Sequence, residues 1–483
     1  MADTGQVLAL FDQINRIPRC SRNEQQLGQW LRAWADGHGL SSDQDDAGNV
    51  LIRVPASPGF EDAPVVVLQA HMDMVCEKTP ESTHNFQTDP VVPIVDGEWL
   101  RADDTTLGAD NGIAIALALA IAGGDAPHPE LEILLTVDEE TGLNGAQQLG
   151  SDWLRGRHLL NLDSEDEGVF TVGCAGGRDT ILTLRVDREP LRHVFVTREI
   201  TVSGLHGGHS GVDIHLGRAN ANALLVRALR SLRGKRDSDQ TVHLVAIGGG
   251  KAHNAIPRDA SAIIAGPPQV IERLNAEVSR IEAKFRAEYG SIEPGLQLSL
   301  RSAAHPSDML TEPSAHRLLD LIMALPHGVV RMSTEVPGLV ETSTNLATVR
   351  VKNDVAIIRT SQRSSYASRL REVAGKIEAV GRLAGATLTS ESSYPPWEPR
   401  VESELLGRAV EAYKAIHTKE PAVEIVHAGL ECGVIGAKYP GMEMISLGPT
   451  IQNAHSPDER LHLPSLERVC VFTDALLASY RES

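Results

Sequence analysis

Short apolar runs recur along the first third of the chain, and each one stops at a polar or acidic residue. Residues 65–68 lead into Gln69-Ala70-His71-Met72-Asp73, residues 131–137 into Asp138-Glu139-Glu140, and residues 159–162 into Asp163. Runs of this length bounded by turn signals read as buried strands. Between them, residues 6–16 and 24–38 carry apolar positions at helical spacing. Residues 113–122 are apolar all round, which predicts a helix buried on every side. That run is about half the ~20 residues a membrane span needs, so no membrane partner is expected. Residues 77–100 hold prolines and acidic residues without a helical period and read as loop with short strand. Apolar strands alternating with helices predict an α/β domain whose mostly parallel central sheet is flanked by helices.

The texture changes near residue 183. Strands are predicted at 199–203, 241–248, 258–265, 296–301, 344–351, 354–361 and 386–391, and helices at 217–233, 268–289, 314–325 and 366–384. Strand pairs with helices of this kind predict an inserted α+β domain, built of two similar halves. Tyr394-Pro-Pro-Trp397-Glu-Pro399 is too proline-dense for a ladder or a helix interior and marks a boundary. Helices at 402–417 and 464–480, with strand-like stretches at 423–427 and 444–447, then return to the first texture. The expected organisation is a discontinuous catalytic domain, 1–183 and 394–483, interrupted by a lid domain, 184–393.

Composition narrows the partners. A formal net charge of −19 over 483 residues argues against a nucleic-acid partner, whose footprint would be basic. The five cysteines, at 20, 76, 174, 432 and 470, are odd in number, widely spaced and free of C-x-x-C, which predicts reduced thiols. The N-terminus lacks a basic segment followed by a long apolar one, so a cytoplasmic location is expected.

The candidate chemistry sits where the apolar runs end. In a strand, residues i and i+2 share a face, so His71 and Asp73 aim at one point. Such a pair suits a metal ligand and its orienting carboxylate, and equally a local hydrogen bond at a strand end. Asp110 stands at the start of the apolar helix, where an anion is favoured and where an ordinary helix cap would also stand. Glu139, Glu140 and Asp163 follow their strands at the end where α/β sheets gather functional groups. His455 lies in a loop a few residues past the strand-like 444–447. Recurrence across five segments favours a shared site over five coincidences. Two His and several carboxylates suit Zn, Mn or Co better than Ca. The carboxylates are too many for one four-coordinate ion, and a pair of ions would use them all. One of the adjacent Glu residues would bind metal and the other act as general base, with the choice between them open at this point.

In order and spacing these residues resemble the two-metal exopeptidases that include aminoacylase, carboxypeptidase G and carnosinase-type dipeptidases. Leu68-Gln-Ala-His-Met-Asp-Met-Val-Cys-Glu-Lys78, Leu107-Gly-Ala-Asp-Asn-Gly112 and Thr136-Val-Asp-Glu-Glu-Thr-Gly142 are similar above all to the bacterial branch acting on aminoacyl-histidine dipeptides. The resemblance covers nearly the whole chain. It implies His71 and Asp163 on one ion, Glu140 and His455 on the other, and Asp110 bridging both, with a cis peptide to Asn111. It further implies Asp73 orienting His71, and Glu139 as base and proton shuttle. In the lid it implies His209, with His206 as rival, as donor to the oxyanion, and Asn254 and Arg363 as binders of the substrate carboxylate. The activity implied is metal-dependent hydrolysis of Xaa-His dipeptides, including carnosine-like β-Ala-His, by a lid-mediated homodimer. A deacylase of N-acyl amino acids would use the same centre. A non-catalytic peptide-binding protein would have lost the base or a ligand, and all are present.

Overall fold

The computed structural model describes residues 3–233, 241–334, 336–400, 402–417 and 419–481. The chain forms two compact units. Unit 1 comprises residues 1–174, 397–426 and 430–483, and unit 2 comprises residues 175–396 and 427–429. No described helix is long and apolar enough to cross a membrane.

Unit 1 is built on an eight-stranded sheet. Its order is Ser41–Gln44, Val50–Val54, Leu131–Thr136, Val66–His71, His158–Asn161, Glu443–Ser446, Val169–Cys174 and Ala422–Val426. The central strands are parallel: Val66–His71 pairs with Leu131–Thr136 on one side and His158–Asn161 on the other, and the latter pairs with Glu443–Ser446. The first three strands in the order pair antiparallel. Every residue of Val66–His71 is buried, as expected of a strand flanked by neighbours and covered on both faces. The helix Ala109–Ala122 is buried along nearly its whole length. Parallel pairing fixes the site, because His71 lies opposite Thr136 and the next residues of both strands leave the sheet at the same end.

A four-stranded antiparallel sheet does the other half of the positioning. Its order is Ile451–Gln452, Arg460–His462, Trp99–Arg101 and Ile94–Asp96. Leu461 pairs with Leu100, so the hairpin tip carrying His455 is tied to the strand that runs into the Asp110 loop.

Unit 2 carries a sheet of nine antiparallel strands among the described residues. Val196–Ser203, His243–Gly249, Ala260–Gly266 and Gln297–Ser302 form one run, and Gly176–Arg185, Val340–Lys352, Val355–Ser364 and Thr387–Tyr394 another. The runs meet where Gly248 and Gly249 pair with Arg350 and Val349, so the two expected halves share one continuous sheet. Leu224 and Leu229, Leu274 and Phe285, and Leu318 and Ile322 point from three helices into its core. The helix Pro268–Tyr289 buries Val270, Ile271, Leu274, Val278, Ile281 and Phe285, a stripe at helical spacing.

Three expectations need correction. The boundary expected at 183 falls inside the strand Gly176–Arg185, because that strand pairs along its length with Val355–Ser364; the units divide at 174/175 instead. On the far side, Thr387–Tyr394 carries unit 2 into the proline-dense crossing, and the division falls at 396/397. Cys20 and Cys76 form a disulfide with Cα atoms 5.7 Å apart, where reduced thiols were expected. Their separation of 56 residues gives no local sequence signal for the pairing, which depends on the fold bringing the two segments together.

Candidate metal centre and active site

The Asp110 carboxylate faces two imidazoles. Its Oδ1 lies 3.0 Å from His71 Nε2 and its Oδ2 lies 3.0 Å from His455 Nε2. Asp163 Oδ1 approaches His71 Nε2 at 3.3 Å, and Glu140 Oε1 approaches His455 Nε2 at 3.0 Å. Two candidate ligand groups result, His71 with Asp163 and His455 with Glu140, joined through Asp110. Glu139 stands with Glu140 beside His71. All of these residues belong to unit 1.

The local chain explains why each group points inward. Asp110 and Asn111 have non-helical dihedrals inside the first turn of Ala109–Ala122 and are joined by a cis peptide. The Asp110 side chain turns to the imidazoles, so it is not an ordinary helix cap. Asn111 donates to Leu162 O at 3.0 Å and accepts the His71 N–H at 3.2 Å, tying the helix start to two strand ends. His455 has φ +63° in a loop where Ser456 Oγ donates to Asn453 O at 2.8 Å. A non-glycine residue in the left-handed region is uncommon and is held there by its surroundings.

Asp73 stands behind His71. Its Oδ1 lies 3.3 Å from His71 Nδ1 and accepts the Glu139 N–H at 3.0 Å, while Oδ2 accepts from Glu140 N at 3.2 Å and Ser21 Oγ at 2.8 Å. One carboxylate therefore fixes the orientation of His71 and the start of the Glu139–Glu140 turn. Burial works against its charge, yet these hydrogen bonds, led by that of His71, hold Asp73 down at about 2.

The electrostatics call for cations. Burial acts to neutralise His71, yet Asp163, Asp110 and Asp73 keep its pKa well above the ordinary value. The Asp110 and Glu140 carboxylates beside its ring push His455 up to about 11. Burial, with Asp110 and Glu140 nearby, pushes Asp163 up to about 6. Glu139 is raised well above the carboxylate range by burial, against His71, and by Asp163, Glu140 and Glu431. Glu140 Oε1 is buried without a hydrogen bond although His455 Nε2 is near. Crowded anions that retain protons, and imidazoles that accept them, mark positions a pair of divalent cations would satisfy. The mixed N/O donor set fits Zn, Mn or Co.

Several supporting residues escaped the sequence reading. Glu459, nearly inaccessible, accepts four backbone N–H groups, from Leu107 at 2.8 Å, Gly108 at 3.0 Å, Ala109 at 2.8 Å and Asp110 at 3.3 Å. It sits four residues past His455 and so links the His455 loop to the Asp110 loop. Arg19 is fully buried and donates to Met72 O, Asp73 O and Gly108 O. Gly108 has φ +70°, and a Cβ there would lie 2.5 Å from Arg19 Nη2, so only glycine allows this approach. Beneath His71, Glu431 accepts from Gln69 Nε2 at 2.6 Å and Thr136 Oγ1 at 2.7 Å. Gly108 lies within a motif already singled out and Glu459 close to His455, but one-dimensional spacing gives no indication of which backbone a carboxylate will cap.

In unit 2, the short ladder pairing His209 with Ala255 sets His209 beside Asn254, whose carbonyl accepts the Ser210 N–H at 2.7 Å. His209 Nδ1 accepts N–H groups from Gly211 at 3.3 Å and Val212 at 3.1 Å, which assigns the ring proton of the neutral imidazole to Nε2. His206 instead meets Ile292 O through Nδ1 at 2.8 Å. A Cβ at Gly211 would meet His209 Cε1 at 3.1 Å and Arg363 Nε at 3.2 Å and would clash with His427 O, so these residues surround one point. Arg363 Nη1 donates to Tyr394 Oη at 3.0 Å, leaving its buried Nε without a partner. His427, unassigned by the sequence and read there as part of the catalytic domain, joins this cluster with its Nε2 2.8 Å from Ser343 Oγ. Burial, with Arg363, His209 and His215, pushes His427 down to about 3.

Peptidase family M20/M25/M40 matches this chain over residues 67–479. The chain belongs to that family. It is 41% identical over 458 residues to the cytosol non-specific dipeptidase of Escherichia coli (strain K12), spanning 95% of this chain and 94% of that protein. The crystal structure of aminoacylhistidine dipeptidase from Vibrio alginolyticus matches with a TM-score of 0.88 at 39% identity, covering 99% of this chain and 97% of that one. Aminopeptidase PepT from Bacillus cereus, at 15% identity and a TM-score of 0.58 over 99% of each chain, shares the fold. The M20 chain is thus a metallopeptidase, a hydrolase acting on peptide bonds, with a mixed α/β fold.

Removing the Glu459 carboxylate should loosen the Asp110 loop. Glu459→Ala is expected to weaken divalent-metal binding at the candidate site about 10–100-fold, the usual cost of losing a group that orients ligands, with Glu459→Gln falling between; competition with a chromophoric chelator measures it. His427 predicts a pH effect of known sign. Its folded pKa of about 3 lies below the ordinary 6.5, so the unfolded chain binds the extra proton as pH falls between them. Stability should therefore drop with acidification in that window by up to about 1.4 kcal/mol per pH unit, and His427→Gln should flatten the slope measured by denaturant titration.

Proposed function

We propose that this protein is a dipeptidase with two divalent metal ions per chain, His71 and Asp163 holding one, Glu140 and His455 the other, and Asp110 bridging both. The observation that carries this reading is the single Asp110 carboxylate spanning two His–carboxylate groups with Glu139 adjacent. Zinc suits the donor set best, with Mn or Co as alternatives. When bound, the ions supply Lewis acidity toward the scissile carbonyl and favour ionisation of water.

The protein's own groups do the rest. Asp73 holds His71 through Nδ1 and keeps the Glu139–Glu140 turn in register. Glu139, in a buried anionic environment that raises its proton affinity, takes the proton of the attacking water and returns it to the leaving amine. His209, with its ring proton on Nε2, is the donor to the developing oxyanion. Arg363 offers a buried guanidinium to the substrate carboxylate, with Asn254 beside the His209 strand.

Substrate breadth is where the two similar dipeptidases diverge in name, one called non-specific and the other aminoacylhistidine. We read the substrates as dipeptides, Xaa-His among them. The E. coli relative's name favours a cytoplasmic location. A homodimer through unit 2 is favoured by the exposed Val329, Val330 and Met332 on the strand Gly328–Met332, and sedimentation velocity tests it.

Hydrolysis of a panel containing Xaa-His dipeptides, β-Ala-His, other dipeptides and N-acetyl amino acids is expected to favour dipeptides and to stop on chelation. Preference for N-acetyl amino acids would turn the assignment to a deacylase. Glu139→Ala should lower kcat by at least about 10²-fold with both metals retained, whereas His455→Ala should lower metal content, as elemental analysis would show.

A further inference from the structure

The segment preceding Glu24 is laced to the end of the His71 strand. Cys20 forms a parallel bridge with Met74, and Arg19 O accepts the Met74 N–H at 3.1 Å. Arg19 Nη1 donates to Met72 O at 3.2 Å and Asp73 O at 3.0 Å, and Ser21 Oγ donates to Asp73 Oδ2 at 2.8 Å. The residues on either side of Cys20 therefore hold both the backbone and the carboxylate of Asp73. The Cys20–Cys76 disulfide closes this contact just beyond Asp73, across 56 residues of sequence.

The cysteines fall into two classes. Cys20 and Cys76 are each partly exposed, whereas Cys174, Cys432 and Cys470 are buried. Thiol–disulfide exchange needs access to sulfur, and of the five cysteines only the bonded pair has exposed surface. In a cytoplasmic protein a disulfide is more often a reversible redox element than a permanent staple.

We propose that the Cys20–Cys76 disulfide is a reversible thiol-exchange site that sets the position of Asp73, with Arg19 and Ser21 as the positioning residues between them. The co-reactant is a dithiol. One of its thiolates attacks a disulfide sulfur, the S–S bond breaks, and the second thiol resolves the mixed disulfide. Cys20 and Cys76 gain two electrons and two protons as thiols, and the dithiol leaves as a disulfide. With the bond open, residues 19–21 lose their covalent tie to residues 74–76, and only hydrogen bonds hold Asp73 on His71. The consequence rests on the assignment of His71 as a metal ligand.

The test compares the holoenzyme in oxidised form, after reduction with a phosphine and desalting, and after reoxidation. Alkylation under denaturing conditions should count three thiols in the oxidised enzyme and five in the reduced one. Turnover of a dipeptide is expected to fall about tenfold in kcat on reduction, with KM little changed, and to return on reoxidation. Calorimetric zinc titration of the metal-free protein should show weaker binding in the reduced form. A C20S/C76S variant should sit at the reduced level and ignore the phosphine; the wild-type comparison stands alone if that variant does not fold. Equal kcat and equal zinc affinity in the two forms overturn the proposal, as does a double variant that still responds. A zinc affinity that differs while neither form cleaves dipeptides supports the disulfide's role and counts against the dipeptidase assignment.

Discussion

One carboxylate between two imidazoles organises unit 1. Asp110 gives one oxygen to His71 and the other to His455, residues separated by most of the chain. Such geometry must be held to fractions of an ångström, and a side chain alone cannot do so. The chain meets the demand from both sides of Asp110. Glu459 gathers the backbone N–H groups of 107–110, and Asn111 ties the helix start to the ends of two parallel strands.

The same demand explains why polar groups are buried here. Arg19, Gln69, Thr136, Asn161 and Glu431 are almost inaccessible, and burying such groups is costly unless they are hydrogen-bonded. Burial lowers the Arg19 pKa to about 10, against Glu459 and Asp73, which favour its charge. Burial, with Asp163 and Asp73 nearby, raises Glu431 to about 7. Hydrogen bonds from Gln69 and Thr136 to Glu431, and from Asn161 to Gln69, rigidify the platform under His71, where apolar packing would leave side-chain directions unspecified.

Unit 2 repeats the principle on a different sheet. A two-residue ladder turns His209 toward Asn254, and backbone N–H groups select its tautomer. Arg363 and Tyr394 come from strands that each pair with Gly176–Arg185, and Gly177 must be glycine because a Cβ would lie 2.5 Å from the Tyr394 ring. His427 arrives from a short excursion of the chain out of unit 1.

Sequence periodicity was enough to read the strand–helix alternation, the inserted α+β unit and the ends of the strands where His71, Glu139, Glu140 and Asp163 stand. Those signals are local: burial on two faces writes a continuous apolar run, and the chemistry begins where the run stops. Helix bounds such as 268–289 were legible for the same reason. The division at 174/175 was not, because long antiparallel pairing assigned the strand Gly176–Arg185 to unit 2 after the apolar texture had suggested otherwise. Glu459, Arg19, His427 and the Cys20–Cys76 bond were likewise decided only by tertiary structure. Each acts on a backbone or sulfur distant in sequence, and such contacts leave no period in the residues that make them.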